Sequence, residues 1–162
     1  MKIEIIRELR QLKAIMQEWE CLFQSNSCNT IFQSFHFCYY SYVNFHANDE
    51  LFVIVLRDEI SCKILSIFPL CINKRRLQFI NNIHADYCDI LIDKSQMNIN
   101  TFVSLKVNLL EHVFLSNEFD SIRFHNLRES SELLKILHKI HYKIVDNTRW
   151  FALNIVNRVH SN

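Results

Sequence analysis

The chain has 162 residues, 49% hydrophobic, 12% aromatic and 22% charged, with a formal net charge of +1. That length suits one domain burying about 70% of the surface its unfolded form exposes, and the composition excludes a disordered segment. A charge so close to zero supplies no field to steer the chain onto nucleic acid or an anionic membrane.

Met1, Ile3 and Ile5 alternate with Lys2 and Glu4, which predicts a short first strand. Leu9, Leu12, Ile15, Met16, Trp19, Leu22 and Phe23 then recur at three- and four-residue steps, the pattern of an amphipathic helix. The segment SNSCNT supplies turn and N-cap residues for a second helix, whose stripe is Phe32, Phe35, Tyr39, Tyr42 and Val43. Residues 51–56 are continuously apolar, as in a strand covered on both faces. RDEIS turns the chain back into a strand over 62–68, ended by Pro69, which cannot donate to a central ladder. Strands are expected over 77–80 and 88–92, a well-buried helix over 102–114 and a strand over 120–124. A helix over 131–140 and strands over 142–145 and 150–155 complete the order. Early strands joined by short turns pair antiparallel, and later ones separated by helices favour parallel crossovers. The expected class is α/β (α+β), a mixed, mostly antiparallel central sheet with helices on both faces.

Glycine is absent, where an average chain of this length holds about eleven; there are 20 Ile and 16 Asn. Asn tolerates positive φ next best, and Asn48-Asp49, Asn81-Asn82 and Asp146-Asn147 stand where turns are wanted. Phosphate-cradling loops use glycine to bring backbone amides close to the anion, so neither a Walker loop nor a dinucleotide fingerprint exists here. The six cysteines include no C-x-x-C pair, which argues against a zinc site and for small core residues in a reducing, cytoplasmic setting. The opening MKIEIIRELRQL is charged throughout and reads as neither signal peptide nor membrane span.

The order of elements resembles that of the GNAT acyltransferase superfamily. Trp19-x-x-Leu22, Ile31-Phe32-Gln33-Ser34, Ile67-Phe68-Pro69-Leu70 and Asp86-Tyr87-x-Asp89 are similar to the CelD/FemAB-like branch, often called cellulose- or polysaccharide-biosynthesis acetyltransferases. Members of that branch resemble two GNAT folds in tandem, and this chain matches the first. The resemblance therefore implies one GNAT-like domain over 1–162, with the strand near 150–155, carrying Trp150 and Leu153, leading toward a missing second half. GNAT enzymes seat the acyl-CoA pyrophosphate on a Gln/Arg-x-x-Gly-x-Gly/Ala loop that has no counterpart here. The implied expectation is that this half binds no acyl-CoA by itself and that cofactor-binding residues are absent from it.

The stretch NNIHADYCDILI concentrates ionisable residues at the mouth of an expected strand. The resemblance implies that Asp86, Tyr87 and Asp89 contact an amine or hydroxyl acceptor, with Trp150 beside them. His84 is a candidate base, since its unperturbed pKa lies near neutrality. The structural alternative has Asp86 accepting amides in a turn, Tyr87 packing and Asp89 capping a strand end. Gln33-Ser34 reads as a helix cap, Arg149-Trp150 as a sugar or anion contact or an inter-half aromatic. His138 and His141 are spaced for a metal but lack a third ligand, and Cys38 has no activating neighbour in sequence. The function implied is acyl transfer from acyl-CoA to an amine or hydroxyl of a sugar or cell-envelope precursor, completed by a second GNAT-like half. The alternative is a non-catalytic binding or assembly module that pairs with another polypeptide or with itself. A nucleic-acid reading through Lys74-Arg75-Arg76 is weakened by the net charge.

Overall fold

The computed structural model describes residues 1–25, 29–96, 118–138, 145–147 and 150–156. The helix expected over 102–114 lies outside them, as do His141 and Arg149.

The first strand, β1 (Lys2–Ile6), lies antiparallel to β3 (Val53–Arg57). The helical stripe that follows is carried by α1 (Leu9–Ala14) and α2 (Met16–Gln24), divided at Ile15, where φ and ψ are −94° and 6°. The division leaves Leu12, Ile15, Trp19 and Leu22 buried on one side, so the three- and four-residue pattern survives it. A 3-10 turn (Ile31–Gln33) precedes α3 (Phe35–Phe45). A capping box between Thr30 and Gln33 starts the turn, and Ser34 Oγ accepts from the Phe37 amide at 3.3 Å as the N-cap of α3. The expected capping role of Gln33-Ser34 is therefore met.

The sheet is mixed and mostly antiparallel, as expected, but it comes in two parts. One has the order β1-β3-β4-β7, with β4 (Ile64–Phe68) and β7 (Leu91–Ile92). The other has the order β2-β5-β6-β8-β10-β9. It contains β2 (Glu50–Leu51), β5 (Leu70–Asn73), β6 (Arg76–Phe79), β8 (Ser121–Leu127), β9 (Val145–Asn147) and β10 (Trp150–Val156). The apolar run read as one strand changes sheet at Phe52, and its antiparallel neighbour changes at Pro69. Proline has no amide hydrogen to give the ladder, so the break falls where the backbone must lose a bond anyway. Phe52 N donates to Leu70 O across the bend at 3.0 Å.

Helices cover both faces. Leu12, Trp19, Leu22, Phe35, Cys38 and Tyr42 pack on Val53, Val55, Ile67 and Leu91, while Leu133, Leu134 and Ile136 of α4 (Glu132–His138) pack with Ile54, Leu56, Phe79 and Phe124. Parallel pairing of the later strands is found only between β6 and β8 among the described residues. β10 runs antiparallel to both β8 and β9.

Candidate functional site

Both β6 and β7 lie antiparallel to the segment that passes through Pro69. Leu70 faces Phe79, and Ile67 faces Leu91. Phe68 and Pro69 are therefore opposed by the eleven residues 80–90, a long excursion from one strand line. Of the strand expected over 88–92, Leu91 and Ile92 alone enter a ladder.

The excursion sits beside β8. The parallel pairing of β6 with β8 covers Arg76 and Leu77 against Ser121 and Ile122. Further along, the β8–β10 register slips, so that His125 and Asn126 together face Ala152, an extra residue on β8. Asn126 has a φ of 56°. Its Nδ2 donates to Ala85 O at 2.8 Å and its carbonyl accepts from Cys88 N at 3.0 Å, so the bulge docks the excursion. On the other flank Asn81 Nδ2 donates to Phe32 O at 2.7 Å and Gln33 Nε2 to Tyr87 O at 2.9 Å. Three side-chain amides thus hold the loop between the 3-10 turn and β8.

The loop gathers His84, Asp86, Tyr87 and Asp89 but gives them different surroundings. His84 is exposed, with its ring 4.2 Å from that of Phe45. Asp86 is exposed and makes no hydrogen bond or ion pair among the described residues. The half-buried Tyr87 ring lies 6.2 Å from Phe32 and 4.9 Å from the Arg128 guanidinium carbon. Asp89 is buried. Its Oδ1 accepts from Ser131 Oγ (2.8 Å), Leu133 N (3.1 Å) and its neighbour Ile90 N (2.9 Å), and its Oδ2 from Glu132 N (3.0 Å). The carboxylate thus caps the start of α4 from a distant part of the chain. Burial pushes its pKa above the ordinary carboxylate value, and the four hydrogen bonds offset only part of that rise. Trp150 opens β10 opposite Asn147.

Behind Asp89 and Gln33 lies a cavity of ≈ 410 Å³ between the 3-10 turn, the end of β7 and the β8–α4 connection. Lys94, Arg128 and Lys135 line it with Glu132 among them. Lys94 Nζ and Lys135 Nζ lie 3.0 and 2.8 Å from Glu132 Oε1. Burial alone would raise the Glu132 pKa, but hydrogen bonds from the two lysines outweigh it and hold the group below its ordinary value. The three cations come from separate elements, and no sequence spacing announces them. On the other side of the loop a shallower aromatic hollow of ≈ 390 Å³ is lined by Phe37, Tyr40, Phe45 and His84. Cys38, buried in the core with its thiol 3.4 Å from Phe32 O, has its pKa raised well above the ordinary value by burial, so it is no nucleophile.

No family model matches the chain, and no curated protein does. Among solved structures it is similar to spermidine N-acetyltransferase from Vibrio cholerae in complex with CoA and spermine. The TM-score is 0.56 at 15% identity, over 95% of each chain. It is also similar to the PaiA N-acetyltransferase from Thermoplasma acidophilum in complex with coenzyme A, with a TM-score of 0.55 at 10% identity over 96% of this chain and 99% of that one. A dodecameric structure of the Vibrio cholerae enzyme gives 0.55 at 14% identity, over 96% and 92%. These likenesses establish the fold, which is that of the GNAT acyltransferases. They also correct one expectation. The missing glycine loop implied that a domain of this kind, standing alone, would hold no coenzyme. Yet two neighbours matched along nearly their whole length are complexed with CoA, so one such domain is a CoA-binding fold. The expectation rested on one backbone loop alone, and charged side chains around a cavity are a second general means of holding phosphates.

Proposed function

We propose that the chain is a CoA-dependent N-acyltransferase that transfers an acyl group to a primary amine. The observation that carries this reading is the cavity ringed by Lys94, Arg128 and Lys135 in a fold that single-domain neighbours use with CoA. The three cations fit the phosphates of an acyl-CoA, and the apolar rim at Ile90 and Ile92 fits its pantetheine arm. In the reaction the amine nitrogen attacks the thioester carbonyl, the C–S bond breaks, CoA leaves as thiolate, and the nitrogen loses its proton to a base. His84 and Asp86, exposed on the same loop, are proposed on the acceptor side, Asp86 attracting a cationic amine and His84 taking the proton. Tyr87 packs between the two sides, and Asp89 acts by holding α4.

A narrower reading keeps the CelD/FemAB-like branch, with an amine or hydroxyl of a sugar or cell-envelope precursor as acceptor. Asp86-Tyr87-x-Asp89 supports it, and a second GNAT-like half would then be the partner. The dodecameric neighbour supports self-association instead, which sedimentation of the purified chain tests directly. No helix among the described residues is long and apolar enough to cross a membrane.

Acetyl-CoA should raise the melting temperature of the wild-type chain, because a ligand that binds only the native state stabilises it. Arg128→Ala and Lys94→Ala should each weaken that binding about tenfold or more, the scale of a lost charge-assisted contact. Release of CoA thiol in the presence of a panel of polyamines, amino sugars and lysine peptides identifies the acceptor class. No shift at millimolar acetyl-CoA would refute the reading. Binding without turnover on any amine or hydroxyl would favour the non-catalytic assembly module.

A further inference from the structure

Helix α3 carries six Phe and Tyr rings in eleven residues, more than the core takes up. Phe35 and Tyr42 are buried against the sheet. Phe37, Tyr40, Ser41, Asn44 and Phe45 follow at three- and four-residue steps along a second face, and with His84 they line the aromatic hollow. Tyr40 and Phe45 are 60% and 51% exposed, a large apolar surface to leave to water.

The walls of the hollow are held by neighbouring rings. Phe37 stands edge-on to Phe32 at 5.1 Å between centroids, Tyr40 edge-on to Tyr39 at 5.4 Å, and Phe45 lies 4.2 Å from His84. Such pairs set the walls in place before a ligand arrives. The ring contacts also run on to the cavity proposed for CoA. Phe32 lies 6.2 Å from Tyr87, and Tyr87 lies 4.9 Å from the Arg128 guanidinium carbon, whose side chain lines that cavity. The 3-10 turn serves both sides, with Thr30 and Gln33 in the cavity and Ile31 and Ser34 in the hollow. The two sites thus share a wall.

The lining discriminates among amines. Among the described residues no Asp or Glu lines the hollow, so the second ammonium of a polyamine would find no counter-charge there. Ser34 Oγ is already committed, donating to Ile31 O at 2.7 Å and accepting from Phe37 N, which leaves fewer partners for the hydroxyls of a sugar. Ring walls suit a planar apolar body, and ≈ 390 Å³ falls within the range of about 300–1,000 Å³ usual for small-molecule sites. Resting on the N-acyltransferase reading, we propose that this hollow is the acceptor site and that its substrate is an arylalkylamine, a primary amine on a short arm from an aromatic ring. The ring packs against Phe37, Tyr40 and Phe45, and the amine points to His84. The transfer step is unaltered: the nitrogen bonds to the thioester carbon, the C–S bond breaks, CoA leaves as thiolate, and the nitrogen's proton passes to His84.

The test uses the full chain with acetyl-CoA and three probes, phenethylamine, spermidine and glucosamine. Release of CoA thiol should give a kcat/KM for phenethylamine at least about tenfold above that for the other two. Tyr40→Ala and Phe45→Ala, both at exposed positions, should raise the phenethylamine KM about tenfold and leave kcat within about threefold, the pattern of lost binding. Saturation-transfer NMR with phenethylamine alone reads the hollow without coenzyme. The wild-type protein should saturate the ligand's ring protons, and the chain carrying both substitutions should not. Circular dichroism checks that the variants fold, and the probe panel and the wild-type NMR stand without them. Equal use of spermidine or glucosamine, an unchanged KM in both folded variants, or no saturation transfer would overturn the proposal. So would a dimer in sedimentation that Tyr40→Ala dissociates, because a second copy would then cover the hollow. Saturation without an acetyl-CoA melting shift would remove the transferase reading and with it the acceptor role, whereas the shift without saturation would remove the hollow alone.

Discussion

Replacing Asp89 by Asn tests whether that residue holds the fold or meets a substrate. In the wild type the carboxylate receives four donors, three of them from the first turn of α4 and Ser131 before it. An amide of the same shape keeps one acceptor oxygen and turns an NH₂ group toward the remaining donors. At least one buried N–H then goes unpaired, at about 1–3 kcal/mol, and hydrogen bonds to a charged group are replaced by weaker neutral ones. Removing a desolvated charge returns part of that loss. The net expectation is a destabilisation of about 2–4 kcal/mol, which for a domain of this size lowers the melting temperature by roughly 5–15 °C. Urea denaturation at 25 °C and thermal melts followed by circular dichroism measure it. Below the melting range, the apparent KM for the acceptor should stay within about twofold of wild type, since uniform binding is untouched. A variant that melts with the wild type yet loses its acceptor would refute the anchoring role and make Asp89 a binding residue.

Other residues give independent tests. Lys74 and Arg75 form the two-residue turn between β5 and β6 with φ of 46° and 61°, conformations that Asn and Gly adopt at lower cost. Lys74→Asn should stabilise the chain by about 0.5–1 kcal/mol in urea titrations, and a loss of stability would show that the lysine makes an uncounted contact. Asn126→Ala removes the hydrogen bond to Ala85 O and puts a methyl group at φ 56°, so a cost of about 1–3 kcal/mol is expected, with faster amide exchange in residues 80–90. His125 has its pKa lowered, first by burial and then by Arg123 and Arg76. The unfolded chain therefore binds a proton that the folded chain refuses, and stability falls as pH drops from the ordinary imidazole value toward the depressed one. His125→Gln should flatten the wild-type stability profile between about pH 7 and 5, and an unchanged slope would remove His125 as its source.

The elements were legible where one periodicity governed a whole segment. Leu12, Ile15, Trp19 and Leu22 marked the first helical face, and Phe35 and Tyr42 the second, while Cys38, outside the expected stripe, is buried and Val43, inside it, is exposed. The division at Ile15 was invisible because it leaves that spacing intact. Residues 51–56 read as one strand since both sheets bury them equally, and the change of sheet at Phe52 depends on partners elsewhere. Cys88 and Ile90 had the apolar character of a strand, but their amides donate to Asn126 O and Asp89 Oδ1 instead of a ladder. The candidate site was half visible. NNIHADYCD was recognisable as a cluster, yet nothing local tells that Asp89 turns inward to α4 while Asp86 stays exposed. Arg128 and Lys135 join Lys94 only through tertiary packing.

The missing glycine explains much of how this loop is built. A chain without it must place ordinary residues at positive φ, and Cys62, Lys74, Arg75 and Asn126 occupy such positions among the described residues. Three of these fall in surface turns, where a strained backbone disturbs nothing else. The fourth is Asn126, at the bulge that docks residues 80–90, and there the side chain turns the constraint to use by donating to Ala85 O. Asn81 and Gln33 complete the same pattern from the opposite flank. Glycine would let two backbones approach and bond directly. Here amide side chains make the links, and one of them, Gln33, also lines the cavity beside Asp89. Shortening that link, as in Gln33→Asn, should therefore perturb acetyl-CoA binding and loop exchange together. Stability alone changing, with both of those unaltered, would separate the loop from the cavity and break that link.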